Sequence, residues 1–345
     1  MTSSDLSMVT PAVILPYDTT AVSIGEIANY HAAKHALNDY QKRLSPNTQR
    51  RQRDDLAVFA RYLTAAGLTV TADQLHDDIA SWAGITHGLL SGFLRYQLQE
   101  GYAIGSINVR LATVKRYCAI AAQSHIIDAA ALALIKTIQG FRHRDGRNVD
   151  QGREVRRVGR KKTEPVTISK EQAALLKEQP DTAQGRRDTL LLCLLLDHGL
   201  RCGEIAALTV ANLNLNEETL TFYREKVDKV QTHQLTKDTR VAIRKYLEVV
   251  TLQPGDSLLR GSRKGGELQG RMSERAITAR VNVLGERIGI SGLSAHDGRH
   301  AWATFAIKAG TDVKALQDAG GWKSPVMPLR YANSGKIANA GVKLD

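Results

Sequence analysis

The sequence holds only three cysteines, Cys118, Cys193 and Cys202, scattered and with no C-x-x-C pair among them. An odd, dispersed count argues against a disulfide framework and for reduced thiols in a cytoplasmic protein. Cys118 and Cys193 sit in apolar helical surroundings, which marks them as core. No run of about 18 apolar residues occurs, so no segment is expected to span a membrane. The opening MTSSDLSMVTPAVILPYD lacks the basic start and following apolar stretch of a signal peptide. No fixed-period internal repeat is visible, which argues against a solenoid. Acidic residues are in deficit, 35 against 47 Lys and Arg, giving a formal charge of +12 and a pI of about 9.6. An excess of cations on that scale points to a polyanionic partner, with nucleic acid foremost.

What is present divides the 345 residues in two. At roughly 100–200 residues per domain, two domains are expected. Residues 1–22 read as an irregular leader. Segment 23–44 opens with Ser23 and Glu26 in capping-box spacing. Segment 45–67 begins Ser-Pro, ends in Gly, and repeats Leu56, Phe59 and Leu63 at helical spacing. Segment 106–124 does the same with Ile107, Leu111, Val114 and Cys118, and carries Arg110, Lys115 and Arg116 on its other side. Residues 23–141 therefore read as an all-helical unit of five or six helices. Residues 142–165, RHRDGRNVDQGREVRRVGRKKTEP, have few large apolar side chains and many cations. They read as a basic linker whose Arg156, Arg157, Lys161 and Lys162 would lie well against phosphates. From residue 166 the pattern is mostly helical again, interrupted by β-like runs at ANLNLN, TLTFYREK and VQTHQLT. The expectation is an α+β domain, 166–345, with one small antiparallel sheet.

Four short stretches of this second domain carry reactive side chains. In HGLRCGEIAAL, Arg201 and Glu204 are three apart and could pair on one helical turn. In AHDGRHAWATF, His296 and Arg299 face the same way on a helix, and His300 lies four beyond His296. The His pair invites a metal reading, but Asp297 stands where a zinc hydrolase needs Glu, and no third ligand is spaced to join. His31 and His35, at the same spacing, read as an exposed helix face. In AGGWKSPVMPLRYA, Trp322 precedes Tyr331 by nine positions. The fourth stretch holds Lys226 and Lys229, either of which could serve as a proton donor. Taken singly, each of these residues would pass as surface or core. Together they suit phosphoryl transfer. Two guanidiniums can hold the non-bridging oxygens of one phosphate. A tyrosine hydroxyl can attack phosphorus, and cations near it favour its ionisation. A lysine can protonate the leaving oxygen.

In this order and spacing, with Trp322 23 positions after Arg299, the motifs resemble those of the tyrosine recombinase, or phage integrase, family. GLRCGEIAALT resembles the first box, with Arg201 as its arginine and Glu204 as the supporting acid. NLNLNEETLTFYREKVDKVQTHQLT resembles the hairpin that delivers the lysine, and length favours Lys226 over Lys229. HDGRH resembles the H-x-x-R box, giving His296 and Arg299. In AGGWKSPVMPLRYA the family's His-or-Trp position falls on Trp322 and its nucleophile on Tyr331. Trp within AGGW is similar to the Cre branch. The motifs span 166–332, and residues 45–141 resemble the family's core-binding domain more loosely, their helix 106–124, with Arg110, Lys115 and Arg116 on one side, being similar to the helix that such domains lay against DNA.

The resemblance implies a helical, SAM-like core-binding domain at 23–141 and a catalytic domain at 166–345. It implies cleavage of double-stranded DNA at paired inverted-repeat half-sites, a 3′-phosphotyrosine at Tyr331, and strand exchange through a Holliday junction in a homotetramer. It implies no cofactor and no metal. Trp322 would donate its indole N–H to the scissile phosphate. The tail 332–345 would be the segment passed to a neighbouring subunit, and Pro325 and Pro328 would leave the chain before Tyr331 irregular. Two other readings share the residues: a type IB topoisomerase, and a DNA-binding factor without catalysis.

Overall fold

A computed structural model describes residues 21–154, 165–263 and 265–333. The chain divides into two compact units, Met1–Lys161 and Lys162–Asp345. Each has its own apolar core.

The first unit is helical throughout its described residues. Its helices are α1 (Ala21–Lys42), α2 (Pro46–Ala65), α3 (Ala72–Asp77), α4 (His87–Gln99), α5 (Ile104–Gln123), α6 (Ala129–Thr137) and α7 (His143–Gln151). Ser45 caps α2 by accepting from the Thr48 N–H at 3.3 Å, and Pro46 fills the first helical position, where no donor is needed. The periodic residues Leu56, Phe59, Leu63, Leu111, Val114 and Cys118 meet in the core around Trp82, whose indole donates to the Leu75 carbonyl at 2.8 Å. Burial pushes the Cys118 thiol up to about 12, so it is an inert apolar filler. Two expectations change. Ser23 lies inside α1 rather than capping it, because the helix already runs at Ala21. Of the segment read as a basic linker, residues His143–Gln151 form a nine-residue helix, α7. Arg156, Arg157, Lys161 and Lys162 lie outside the described residues, as does most of the leader.

The second unit is built on α9 (Ala183–Leu196), whose stretch Leu190–Leu196 is buried on every side. A helix that is apolar all round must be enclosed. It packs against α8 (Lys170–Lys177), α11 (Lys237–Leu247) and α13 (Ala295–Lys308), while α10 (Cys202–Ala207) meets α12 (Glu274–Arg287). The expected antiparallel sheet is three-stranded, in the order β1 (Leu213–Asn214), β2 (Thr219–Arg224), β3 (Lys229–Gln234). A second hairpin, β4 (Arg260–Ser262) with β5 (Leu268–Arg271), was not expected. Its strands are short and rich in Arg and Gly, so no alternation of apolar and polar residues announces them. The unit closes with α14 (Val313–Gly320) and α15 (Val326–Asn333). The chain before Tyr331 is irregular only through Pro325 and helical from Val326. Pro325 precedes α15, and Pro328 falls in its first turn, where its missing N–H costs nothing.

Candidate active site

The site forms where α9, α13 and α14 end or begin. After α9 the chain turns through Gly199, which adopts a left-handed φ of 59°. A Cβ there would come within 2.2 Å of the Trp302 ring, so both the turn and the packing require glycine. The turn delivers Arg201 to the start of α10. Its backbone N–H donates to Glu204 Oε2 and its Nη1 to Oε1, each at 2.7 Å. Glu204, 8% exposed, also accepts from Arg224 Nη1 at 2.9 and 2.8 Å. Burial alone would raise the Glu204 pKa, but Arg224 and Arg201 overcome it and hold the carboxyl below its ordinary range.

The start of α13 is fixed by Asp297, which accepts from the Ser294 N–H at 2.7 Å, the Ser294 hydroxyl at 2.6 Å and the Val166 N–H at 2.9 Å. One turn on, Arg299 is 2% exposed. Its Nη1 donates to the Gly199 carbonyl and its Nη2 to the Gly320 carbonyl, so one guanidinium ties the α9–α10 turn to the end of α14. Burial, then Arg201 and Arg224, push its pKa down. Two of the three guanidiniums here, Arg201 and Arg224, pair with the Glu204 carboxylate, while Arg299 is held by backbone carbonyls, so the cluster keeps a net positive charge that suits an anion.

The AGGW stretch has a steric explanation. A Cβ on Gly320 would sit 2.0 Å from the Trp322 ring, and Gly321 takes a left-handed φ of 59°. These glycines let Trp322 fold back so that the Arg299 guanidinium lies 4.5 Å from its ring centroid. Tyr331, 5% exposed, lies 5.7 Å from Trp322 and 5.0 Å, edge-on, from His300, measured between ring centroids. The His300 and His296 Nε2 atoms are 3.0 Å apart. Burial holds both imidazoles below their ordinary pKa. Arg299, Lys226 and Arg201 add to the effect on His296, and His296 to that on His300. Burial raises the Tyr331 pKa, against the pull of Arg299, Arg330 and Arg201. A cavity of about 640 Å³ opens beside Tyr331, lined by His296, His300, Arg330 and Met327 among others.

The structure thus brings together Arg201, Glu204, His296, Arg299, Trp322 and Tyr331. Lys226 is exposed in a three-residue helical turn, Glu225–Val227, between β2 and β3, and its charge reaches His296. Lys229 sits across from Arg224 at the first rung of β3.

The proposed DNA face of α5 is not a single face. At about 100° per residue, Arg110, Lys115 and Arg116 spread around the helix. Arg110 is half-buried, 4.1 Å from the Tyr102 ring centroid. Lys115 donates to the carbonyls of Lys136 and Ile138 at 3.0 and 2.9 Å, closing the end of α6. Arg116 is exposed.

Sequence reading gave no role to Arg224 or to the glycines that shape the turns, and it weighed Asp297 and His300 only for a metal site. Arg224 had a signal: it occupies the inward position of the alternation Leu220, Phe222, Arg224, where a cation is out of place unless paired.

Residues 166–336 match the phage integrase family. The chain is 25% identical over 290 residues to the tyrosine recombinase XerC of Haemophilus ducreyi, covering 82% of this chain and 83% of that one. It is also 25% identical over 283 residues to the tyrosine recombinase XerD of Ralstonia nicotianae, covering 79% of each. Among solved structures, a lambda integrase fragment, determined as a dimer bound to a COC′ core site, superposes with a TM-score of 0.60 at 13% identity, over 91% of this chain and 99% of that one. The Tn1549 transposon integrase, in complex with a circular intermediate DNA, does so with a TM-score of 0.55 at 14% identity, over 80% and 94%. These likenesses point to one class of protein, the site-specific recombinases. Within it, this chain belongs to the phage integrase family and is a tyrosine recombinase, an enzyme of site-specific recombination.

Proposed function

We propose that the enzyme breaks and rejoins double-stranded DNA through Tyr331. Arg201 and Arg299 bind the non-bridging oxygens of the scissile phosphate and stabilise the charge that develops on them. The Tyr331 oxygen attacks phosphorus, and its proton passes to the neutral imidazoles of the same cavity. The bond from phosphorus to the 5′ oxygen breaks, and that oxygen takes a proton from Lys226. The products are a 3′-phosphotyrosine and a free 5′-hydroxyl. A 5′-hydroxyl from a second strand attacks the linkage, reverses the proton transfers and releases the tyrosine. Trp322 donates its indole N–H to the phosphate, and Glu204 holds Arg201.

The observation that carries this reading is that Tyr331 shares one cavity with His296 while the charges of Arg201, Arg299 and Arg330 all act on its phenol. Burial raises the pKa of that phenol above its ordinary value, so it is protonated in the free protein at neutral pH.

The remaining features extend the same proposal. The substrate carries paired inverted-repeat half-sites, and four subunits exchange strands through a Holliday junction. Head-to-tail contacts closing a ring suit that assembly. The first unit binds DNA as a core-binding domain, in the cytoplasm and on the nucleoid. The DNA in the lambda and Tn1549 complexes supports the DNA partner, and the lambda dimer on a core site supports an assembly of subunits on it.

The test is covalent trapping. Purified protein is incubated with fragmented genomic DNA from its source and quenched with detergent, and the attached ends are sequenced. Adducts at one inverted-repeat sequence are expected, and Tyr331→Phe should give none. Scattered adducts would point to a topoisomerase instead. Adducts that persist in the variant would refute the role of Tyr331.

A further inference from the structure

Among the described residues of the second unit, Arg224 is a fully enclosed cation that sits beside the site and that the mechanism above does not use. Arg224, at the end of β2, is 0% exposed. All three of its guanidinium nitrogens are engaged. Nη1 donates to both Glu204 oxygens, Nη2 to the Ala319 carbonyl at 2.7 Å, and Nε to Gln231 Oε1. Its guanidinium carbon also lies 4.7 Å from the Phe222 ring centroid.

These partners belong to three separate pieces of the site. Glu204 holds Arg201. Ala319 is in the last turn of α14, three residues before Trp322. Gln231 is on β3, and its own amide donates to the Asp318 carbonyl. His233 of β3 reaches the Ala319 carbonyl as well, at 3.1 Å. The hairpin base is thus bound to the carbonyl end of α14, where the helix dipole favours a cation. The fit is close, since a Cβ on Gly321 would lie 2.5 Å from Arg224 Cδ. Arg224 is also half of the last rung before the turn, paired in register with Lys229. The turn that follows carries Lys226, which is exposed and has no ion pair among the described residues. Nothing on Lys226 itself sets where its ammonium goes. The nearest fixed point along the chain is the Arg224 clamp, two residues earlier.

We propose that Arg224 is the positioning residue for Lys226: it fixes the hairpin against α14 so that the ammonium meets the leaving 5′ oxygen. The inference rests on the reading of Lys226 as the proton donor. The rival account is that Arg224 acts only through Glu204 on Arg201, or only holds the unit together. The two differ chemically. A lysine acid matters when the leaving group is an alkoxide. It matters little when that oxygen is replaced by sulfur, because a thiol is acidic enough, with a pKa of about 8.5, to leave unprotonated.

The experiment is single-turnover cleavage by the full-length protein. The duplex carries the sequence recovered by trapping, either as normal DNA or with a 5′-bridging phosphorothiolate at the cleaved position. Lys226→Ala should slow the oxygen substrate about 100-fold or more and recover to within a few-fold of wild type on the sulfur substrate. Arg201→Ala should be slow on both. Arg224→Gln should follow the lysine pattern, at least about tenfold slow on oxygen and recovered on sulfur, and should add little to Lys226→Ala in the double variant. Gln231→Ala, which leaves the Arg224–Glu204 pair in place, should show the same pattern at smaller amplitude, and it decides the matter if Arg224→Gln does not fold. Equal slowing of these variants on both substrates, with Lys226→Ala recovered, overturns the role of Arg224. If Lys226→Ala itself does not recover, the proton-donor reading has failed instead.

Discussion

Replacing Glu204 by Gln keeps the shape of the side chain and removes its charge. In the native site the carboxylate, 8% exposed, answers two guanidiniums, one of them fully buried. Breaking a buried ion pair by removing one partner costs about 3–5 kcal/mol. The Gln carbonyl can still accept from one arginine, so the lower end, about 3 kcal/mol, applies. For a unit of 184 residues (345 − 161), each kcal/mol moves the melting temperature by about 2–4 °C, which gives a fall of about 6–12 °C. The sign with pH follows from the depressed Glu204 pKa. Its contribution is fully present above the unfolded value of 4.5 and is lost as pH falls through the lower folded value. Scanning calorimetry of the full chain should therefore show the transition of the second unit lowered in Glu204→Gln at neutral pH, with the gap closing below pH 4.5. Coincident transitions at neutral pH, or a gap that persists unchanged into acid, would refute the assignment of Glu204 as the shared anchor of Arg201 and Arg224.

Gly199→Ala places a methyl on a left-handed residue against the Trp302 ring. It should destabilise the second unit by about 2–4 kcal/mol, from strained backbone and overpacking together, and slow adduct formation because the Gly199 carbonyl holds Arg299; thermal melts and trapping check both. In the first unit, Lys115→Ala should lower the melting temperature by unclosing α6. Arg116→Ala should leave stability unchanged and reduce the salt dependence of DNA binding by about one phosphate contact, read from titrations at several salt concentrations. The rate of adduct formation should stay flat as pH falls to 6.5 and drop only below it, because burial and the surrounding cations hold His296 under its ordinary value. A midpoint at or above 6.5 would contradict that environment.

Local sequence was enough for much of the architecture. Capping residues and periods of 3.6 depend only on neighbours along the chain, so α2, α5 and α9 were legible, and so were the runs that became β2 and β3. The order and spacing of Arg201, His296, Arg299, Trp322 and Tyr331 were enough to name the family before any fold was known. Several things could not be read that way. Lys115 looked like a surface cation because its partners, the carbonyls ending α6, lie 21 and 23 residues away. Arg224 looked like one more arginine in a basic chain. Its meaning depends on Glu204, 20 residues before it, and Ala319, 95 after it. The glycines of AGGW mark a turn in sequence, but that the turn exists to lay Trp322 under Arg299 requires knowing where α13 ends up. Sequence alone was enough to propose Arg201, His296, Arg299, Trp322 and Tyr331 as site residues, because their chemistry is local to each residue. Tertiary structure decided which of them are charged, paired or placed, because burial and Coulomb interaction depend on distances through space.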